Sequence, residues 1–380
     1  MAPSARHEPN ILCRLASGDE LSNAFRFKFC AEGAANAVFR LQPSSKGTCV
    51  VFEDHNGNVM ERKGLQTKVL RISKGEPKTL RYNEIMAGFE EELLPLFRKT
   101  EQEEDDTSPR KALNLSIKES FEDFVMHHEG VSIYPGALHA LMVEMHKHCP
   151  HNKHIGFHLL EERGILLPDM SPEDGITFTI EIKPKWLTQS LDAPRDAYLC
   201  RTCALQAARL DAARKPERPV KRDYICPLVL AAGKAPAIEQ WLREKTRSLD
   251  PSTAAKIIAR ALPFFTTGPG HEILQHLRYL QSVVGTNVIR VTPPHDDEGY
   301  RLRLSMTLRD CSLFVRIPFD ESSPIEAKLG DLDFKSLNKL VDWYKKEQVL
   351  GNGGWYLSRD SGMEGCWIAQ GWRKYVPYYF

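Results

Sequence analysis

Four short β-prone runs, FRFKFCAEG, NAVFRLQP, GTCVVFED and KVLRIS, follow one another between residues 25 and 73, and Gly, Asn and Pro signals break them apart. Runs this short, rich in aromatic and β-branched residues, fit a twisted antiparallel sheet. The second half reverses the pattern. YLCRTCALQAARLDAAR, PAIEQWLREKTR, STAAKIIARALPFF and HEILQHLRYLQSVVG carry helical spacing or strong helix formers. A chain of 380 residues exceeds what one hydrophobic core usually serves, so the expected fold class is α+β in two lobes, the first β-rich and the second mixed and helix-rich.

Inside the β-rich half, RYNEIMAGFEEELLPLF sets Ile85, Phe89, Leu93 and Leu96 on one helix face with Pro95 near its end. YPGALHALMVEMHKHCP reads as a second amphipathic helix stopped by Pro150. Further on, GITFTIEIKPKW alternates as a half-buried strand does, RLRLSMTLRDCSLFVRIPF is expected to return to strand, and AKLGDLDFKSLNKLVDWYKKEQVL is a strand end running into a helix.

Charge narrows the function classes. With 51 basic and 50 acidic residues the net charge is +1, which argues against a coat for nucleic acid or an anionic membrane, so a polyanion would have to meet a local pocket. KTEQEEDD at 99–106 and RKPERPVKR at 214–222 read as solvated loops. No apolar run is long enough to span a bilayer and MAPSARHEPN lacks a signal-peptide core, so the expectation is an intracellular protein, nuclear or cytoplasmic. Nine cysteines fit a reducing compartment. Cys200 and Cys203 in CRTC have zinc spacing but no second pair or His pair nearby in sequence, so they are expected to be buried thiols. His146, His148, His151 and His154 read as surface histidines at a helix end rather than metal ligands.

Several residues could carry chemistry. Small residues from Gly33 to Asn36 let backbone approach a ligand and leave amides for phosphate oxygens. Arg71 lies on a strand of the same sheet, where a kinase-like fold sets a cation against nucleotide phosphate. In EIKPK, Pro184 restricts the backbone and an extended segment would project Lys183 and Lys185 to one face, a pair suited to several phosphates. Asp310 and Asp331 sit at ends of expected strands, and two aspartates can supply a base and a magnesium ligand. Lys335 and Lys339 would share a helix face as a second basic wall, with Trp343 one turn on.

EGAANAVFRL, KVLRIS, ILLPDM, EIKPKW, CRTCALQ, CPLVLAAG, RDCS and GDLDFK occur in the order of motifs of the inositol-pentakisphosphate 2-kinase family, which the chain resembles over residues 32–339. The resemblance implies a two-lobed, distantly protein-kinase-like enzyme, with residues 1–169 as an N-lobe and 170–380 as a C-lobe. It implies ATP and Mg2+ as cofactors and phosphorylation of the 2-hydroxyl of inositol 1,3,4,5,6-pentakisphosphate to give inositol hexakisphosphate. By the same resemblance Gly33, Ala35 and Asn36 cover the nucleotide phosphates, Arg71 contacts them, and Pro168, Asp169 and Met170 form a hinge beside adenine. Lys183 would stand between nucleotide and inositol phosphates, with Lys185, Arg201, Lys335 and Lys339 on the inositol phosphates and Trp343 in place of a family tyrosine. Asp310 would be the catalytic base and Asp331 the magnesium ligand. The chain departs from the plant members in carrying Cys203 in place of a lysine and Val229 in CPLVL, and it lacks their asparagine-rich segment and zinc-binding insertion. Two other readings of the same fold are a non-catalytic inositol polyphosphate sensor and a kinase for another phosphoinositol. The expected partner is the small-molecule substrate, with no nucleic acid or membrane, and a monomer is expected by analogy with kinase-like lobes.

Overall fold

The computed structural model describes residues 7–33, 35–74, 80–100, 113, 115–148, 162–212, 224–289, 296–359 and 361–371. The chain forms two compact units, Met1–Glu91 with Met126–Asp169, and Glu92–Val125 with Met170–Phe380. Among the described residues no helix is long and apolar enough to cross a membrane.

The first unit is built on strands β1 (Ile11–Leu15), β2 (Phe25–Glu32), β3 (Asn36–Pro43), β4 (Val50–Glu53), β5 (Lys68–Ser73), β6 (Glu129–Ile133) and β7 (Arg163–Pro168). A one-turn helix α1 (Arg62–Leu65) precedes β5, and α2 (Tyr82–Ala87) and α3 (Pro135–His148) complete the unit. Alternation does the sorting: Phe25 and Phe27 of β2 point inward while Arg26 and Lys28 point to solvent, and Ala37, Phe39 and Leu41 of β3 join them inside. Onto this core α3 lays Ala137, Leu138, Leu141 and Met145.

The expected twisted antiparallel sheet is closed into a barrel in the order β1-β4-β2-β3-β5-β7-β6. Closure comes from one parallel pair, β1 with β6 at Ile11↔Val131. EGVSI is not among the expected strands; it is five residues long, with only Val131 and Ile133 buried. A closed barrel leaves no sheet edge unpaired.

The second unit holds an antiparallel sheet, β8 (Thr177–Ile182), β9 (Ser312–Pro318) and β10 (Glu326–Gly330), with β9 central. Its helices are α4 (Arg201–Ala212), α5 (Pro227–Ala231), α6 (Ala235–Lys245), α7 (Pro251–Thr266), α8 (Pro269–Val283), α9 (Asp296–Leu308) and α10 (Leu340–Asn352). The four helices expected from spacing between residues 198 and 285 are all present. α7 begins as its sequence dictates, with the Asp250 carboxylate accepting from the Ser252 and Thr253 amides at 3.1 and 3.0 Å and Pro251 behind it.

Two expectations are corrected here. RLRLSMTL forms α9 rather than strand: Leu302, Leu304, Met306 and Leu308 are all buried, so their alternation does not mark one face. The helix face expected for Lys335 and Lys339 is also absent, since α10 begins only at Leu340 and Lys335 lies in the loop before it.

Residues 92–125 belong to the second unit although they interrupt the first in sequence. His276 of α8 donates from Nε2 to the Leu96 carbonyl at 2.9 Å and its ring stacks on Phe121 at 4.2 Å, while Lys328 reaches the Asp123 carbonyl at 2.6 Å. Burial lowers the His276 pKa from 6.5 to about 4. Between those values the unfolded chain takes up a proton that the folded one refuses, so stability falls as pH drops, by about 3 kcal/mol over the window. Urea midpoints of wild type and His276→Gln, followed from pH 7 to pH 4, are expected to converge as the wild type loses this increment. Parallel profiles would remove histidine burial as the cause.

Candidate active site

The candidate residues fall into two groups, one in each unit. In the second unit, three short segments converge. β8 ends at Ile182, so Lys183 and Lys185 lie beyond the strand and the expected extended EIKPK frame is corrected: Lys185 is left-handed at φ 56°. The turn sends the two ammonium groups to different carboxylates. Lys183 donates to Ser312 Oγ at 2.7 Å and Asp331 Oδ2 at 3.0 Å, and Lys185 donates to Asp310 Oδ1 at 2.9 Å. Lys335 takes the other oxygen of Asp310, also at 2.9 Å. Asp310 occupies the turn between α9 and β9, and Asp331, left-handed at φ 57°, follows β10 directly. Left-handed backbone in non-glycine residues costs about 1 kcal/mol or more and persists where surroundings over-determine it, often at functional sites.

At Lys185 the backbone is held by Gln281, completely buried on α8. Its amide donates to the carbonyls of Lys185 at 2.8 Å and Leu308 at 3.1 Å and accepts from the Leu187 amide at 2.8 Å. One side chain thus fixes the segments that carry Lys185 and Asp310. Lys335 is held by the same helix α9, its carbonyl accepting from Arg303 at 2.7 Å and its amide donating to Thr307 at 3.0 Å.

Electrostatics follow from these pairs. Burial would raise the Asp310 pKa, but Lys335 and Lys185 outweigh it and hold the carboxyl well below the usual carboxylate range. Burial likewise works against the Lys183 ammonium, yet Asp331 and Glu181 more than offset it and leave its pKa above the ordinary lysine value. Lys339 has no ion-pair partner among the described residues; desolvation first, and then the neighbouring Lys335 charge, hold its pKa below the ordinary lysine value even though its side chain reaches the surface. Ser312 Oγ lies 2.9 Å from both Glu181 Oε1 and Asp331 Oδ2, which brings two carboxylates to one point. Hard oxygen donors so arranged suit a divalent cation such as magnesium.

Arg201 and Trp343 are engaged elsewhere in the second unit, and neither hydrogen-bonds to Asp310 or Asp331 among the described residues. Arg201 is buried, ion-paired with Glu347 at 2.8 Å, and its guanidinium lies 4.2 Å over the Trp186 indole. Arg309 lies over the same indole at 3.6 Å. Burial, and then the Arg201 charge, push the Arg309 pKa down to about 9. Trp343 packs with Trp186, Leu302 and Met306 in a small core.

In the first unit, the Gly33 amide donates to the Asn36 carbonyl at 2.8 Å, closing a tight turn between β2 and β3. Lys74, buried, braces that turn: its ammonium donates to the Gly33 carbonyl and its amide to the Ala35 carbonyl, each at 2.9 Å. Asn36 and the buried Arg71 line a small pocket with Ser73, Tyr82 and Arg163. Pro168 ends β7. Asp169 donates its amide to the Thr67 carbonyl at 2.8 Å and accepts from Arg40 Nε at 2.7 Å, and Met170, where the chain re-enters the second unit, is buried.

Sequence reasoning missed Lys74, Glu181, Gln281, Arg309, Ser312 and Glu347. Glu181, Arg309 and Ser312 stood inside quoted motifs; Lys74, Gln281 and Glu347 gave no local signal. It also left Cys200 and Cys203 without metal partners, and this is corrected: Cys226 and Cys366 converge on them. Of the four histidines, His151 and His154 lie outside the described residues, as do the basic stretch 214–222 and residues 372–380 of the aromatic tail.

Lys183, Lys185 and Lys335 are each paired with a carboxylate, and ammonium groups so placed can also donate charge-assisted hydrogen bonds to phosphate oxygens. A sequence model of the inositol-pentakisphosphate 2-kinase family matches residues 29–349. The inositol-pentakisphosphate 2-kinase of Yarrowia lipolytica is 28% identical over 299 residues, covering 72% of this chain and 89% of that protein. The chain belongs to the inositol-pentakisphosphate 2-kinase family, as its motifs implied, and by that membership is a kinase of inositol phosphates.

Proposed function

We propose that this protein transfers the γ-phosphate of ATP to the 2-hydroxyl of inositol 1,3,4,5,6-pentakisphosphate, producing inositol hexakisphosphate. The observation that carries the reading is Asp310 held between Lys185 and Lys335. A base flanked by two phosphate-binding cations meets the needs of an acceptor hydroxyl surrounded by phosphates.

The roles divide by unit, Met1–Glu91 with Met126–Asp169 serving as a kinase-like nucleotide lobe and Glu92–Val125 with Met170–Phe380 as the inositol phosphate lobe. Backbone at Gly33, Ala35 and Asn36, braced by Lys74, covers the nucleotide phosphates, Arg71 neutralises them, and Pro168 to Met170 form the hinge beside adenine. Lys183 neutralises the phosphate in transfer, while Lys185, Lys335 and Lys339 hold phosphates that stay on the ring. Arg201 and Trp343 support this wall indirectly, through their contacts with Trp186. Asp331, with Glu181 beside it, would hold Mg2+, which when bound supplies positive charge against the mutual repulsion of the phosphates.

The site also sets an order of events. Without ligand, Lys185 and Lys335 keep the Asp310 carboxyl a weak base. Ring phosphates compete for both ammonium groups; as they do, the carboxyl regains its affinity for the acceptor proton, and the hydroxyl arrives at a base that its own substrate has released.

Incubation of the protein with magnesium ATP and inositol 1,3,4,5,6-pentakisphosphate, with products resolved by charge, is expected to yield inositol hexakisphosphate. Tight binding without product would favour the sensor; a product phosphorylated at another position, the alternative kinase. The reaction is expected of a monomer in the nucleus or cytoplasm.

A further inference from the structure

Four cysteines widely separated in sequence meet in the second unit. Cys200 and Cys203 straddle the start of α4, Cys226 precedes α5, and Cys366 lies near the C-terminal end of the described chain. All four are buried, and their sulfur atoms lie within 4.8 Å of one another, with Cys200 and Cys226 at 3.8 Å. We infer that Cys200, Cys203, Cys226 and Cys366 form a tetrathiolate site for a structural zinc ion.

Geometry is the first reason. Four sulfurs about 2.3 Å from one zinc, at the corners of a tetrahedron, lie about 3.8 Å apart. The cluster has that size. Disulfide bonding would need sulfurs about 2.0 Å apart and could join the four only in two pairs, whereas all four are free thiols here. Apolar packing accounts for burial of a cysteine, but it gives no reason for four sulfurs to point at one centre.

Second, the surroundings suit thiolates. The Cys200 amide donates to Cys366 Sγ at 3.2 Å, the Cys203 amide to Cys200 Sγ at 3.5 Å, and Tyr224 Oη lies 3.2 Å from Cys203 Sγ, placed to donate. Donors of this kind spread the charge of a bound cluster and orient its ligands. Binding is an exchange in which one divalent cation replaces four thiol protons, which leave to solvent, with no change of oxidation state. Because the protein fills all four coordination positions inside a core, the ion is structural rather than catalytic.

The site ties the first turn of α4 to the C-terminal segment. Arg201, which pairs with Glu347, follows Cys200 directly. A metal clamp at this point sets where Arg201 enters the structure.

The full chain, purified under reductant without chelator, is expected to carry one zinc per molecule by elemental mass spectrometry. Exchange with Co2+ is expected to give the intense visible bands and sulfur-to-cobalt charge transfer of a tetrahedral thiolate site. Cys366→Ser should lose the zinc, whereas Cys30→Ser, altering an exposed thiol, should keep it. If Cys366→Ser does not fold, the wild-type zinc content and cobalt spectrum still decide. Substoichiometric zinc with no cobalt uptake, weak octahedral cobalt bands, or a disulfide among the four in the reduced protein would each overturn the assignment. None of these readouts depends on phosphoryl transfer, so failure of the proposed activity leaves the metal assignment standing.

Discussion

Asp310→Asn is expected to lower kcat by roughly a hundredfold to ten-thousandfold, the range of a lost general base, while inositol polyphosphate binding is retained or tightened. Both halves follow from the same two contacts. Asp310 accepts from Lys185 and Lys335 at 2.9 Å each, so a neutral amide removes the base and frees both ammonium groups for phosphate. Single-turnover rates measure the first half and calorimetric titration with inositol pentakisphosphate the second. An equal loss of rate and affinity would mean that Asp310 shapes the pocket instead of taking the proton. A rate within tenfold of wild type would remove it as the base.

The largest effect on stability is expected at Glu347. Its carboxylate is 1% exposed, accepts from Arg201 at 2.8 Å and Ser190 Oγ at 3.3 Å, and takes the Tyr356 hydroxyl as well. Arg309, buried against the same indole as Arg201, has Nε and Nη1 without hydrogen-bond partners among the described residues. Removing one member of a buried pair strands the other charge at about 3–5 kcal/mol, and here two guanidinium groups share the loss, with Asp192 as the other carboxylate acting on Arg309. Glu347→Ala should therefore lower the unfolding free energy by that amount, read as a lower urea midpoint at unchanged m-value, and Glu347→Gln, which still accepts from Tyr356, by less. A shift under about 1 kcal/mol would mean that the two arginines find other compensation.

The parts of the fold legible in the sequence were those with local periodicity. FRFKFCAEG and NAVFRLQP showed their strands because Phe25, Phe27, Phe39 and Leu41 alternate with polar residues; Ile85, Phe89, Leu93 and Leu96 are buried as expected, but the single helix is not formed, since α2 ends at Ala87 and Gly88–Leu93 and Leu94–Phe97 continue as π and 3-10 turns. Barrel closure was not legible, because the parallel pairing of Ile11 with Val131 leaves no trace in either short segment. RLRLSMTL misled because a helix buried on several sides can carry a strand-like alternation by chance. At the site, EIKPK, RDCS and GDLDFK marked the segments that meet, but the left-handed turns at Lys185 and Asp331, which decide which lysine meets which aspartate, have no glycine to announce them. Gln281 and Glu347 act through burial among distant partners, and no local pattern encodes that. CRTC was a sound half-signal; its other half lay at Cys226 and Cys366, beyond any spacing rule.

The interleaving of the two units has a consequence during synthesis. As the chain leaves the ribosome, residues 92–125 emerge before β6 and β7, which close the barrel, and far ahead of their own partners His276 and Leu329. Leu96 and Phe97, both fully buried in the finished protein, must wait uncovered until most of the chain has been translated. Segments held waiting in this way are where nascent chains aggregate and where chaperones bind. A ribosome stalled after β7 has emerged but before residue 276 has would therefore present Leu96 and Phe97, and not the closed barrel strands, as exposed apolar surface.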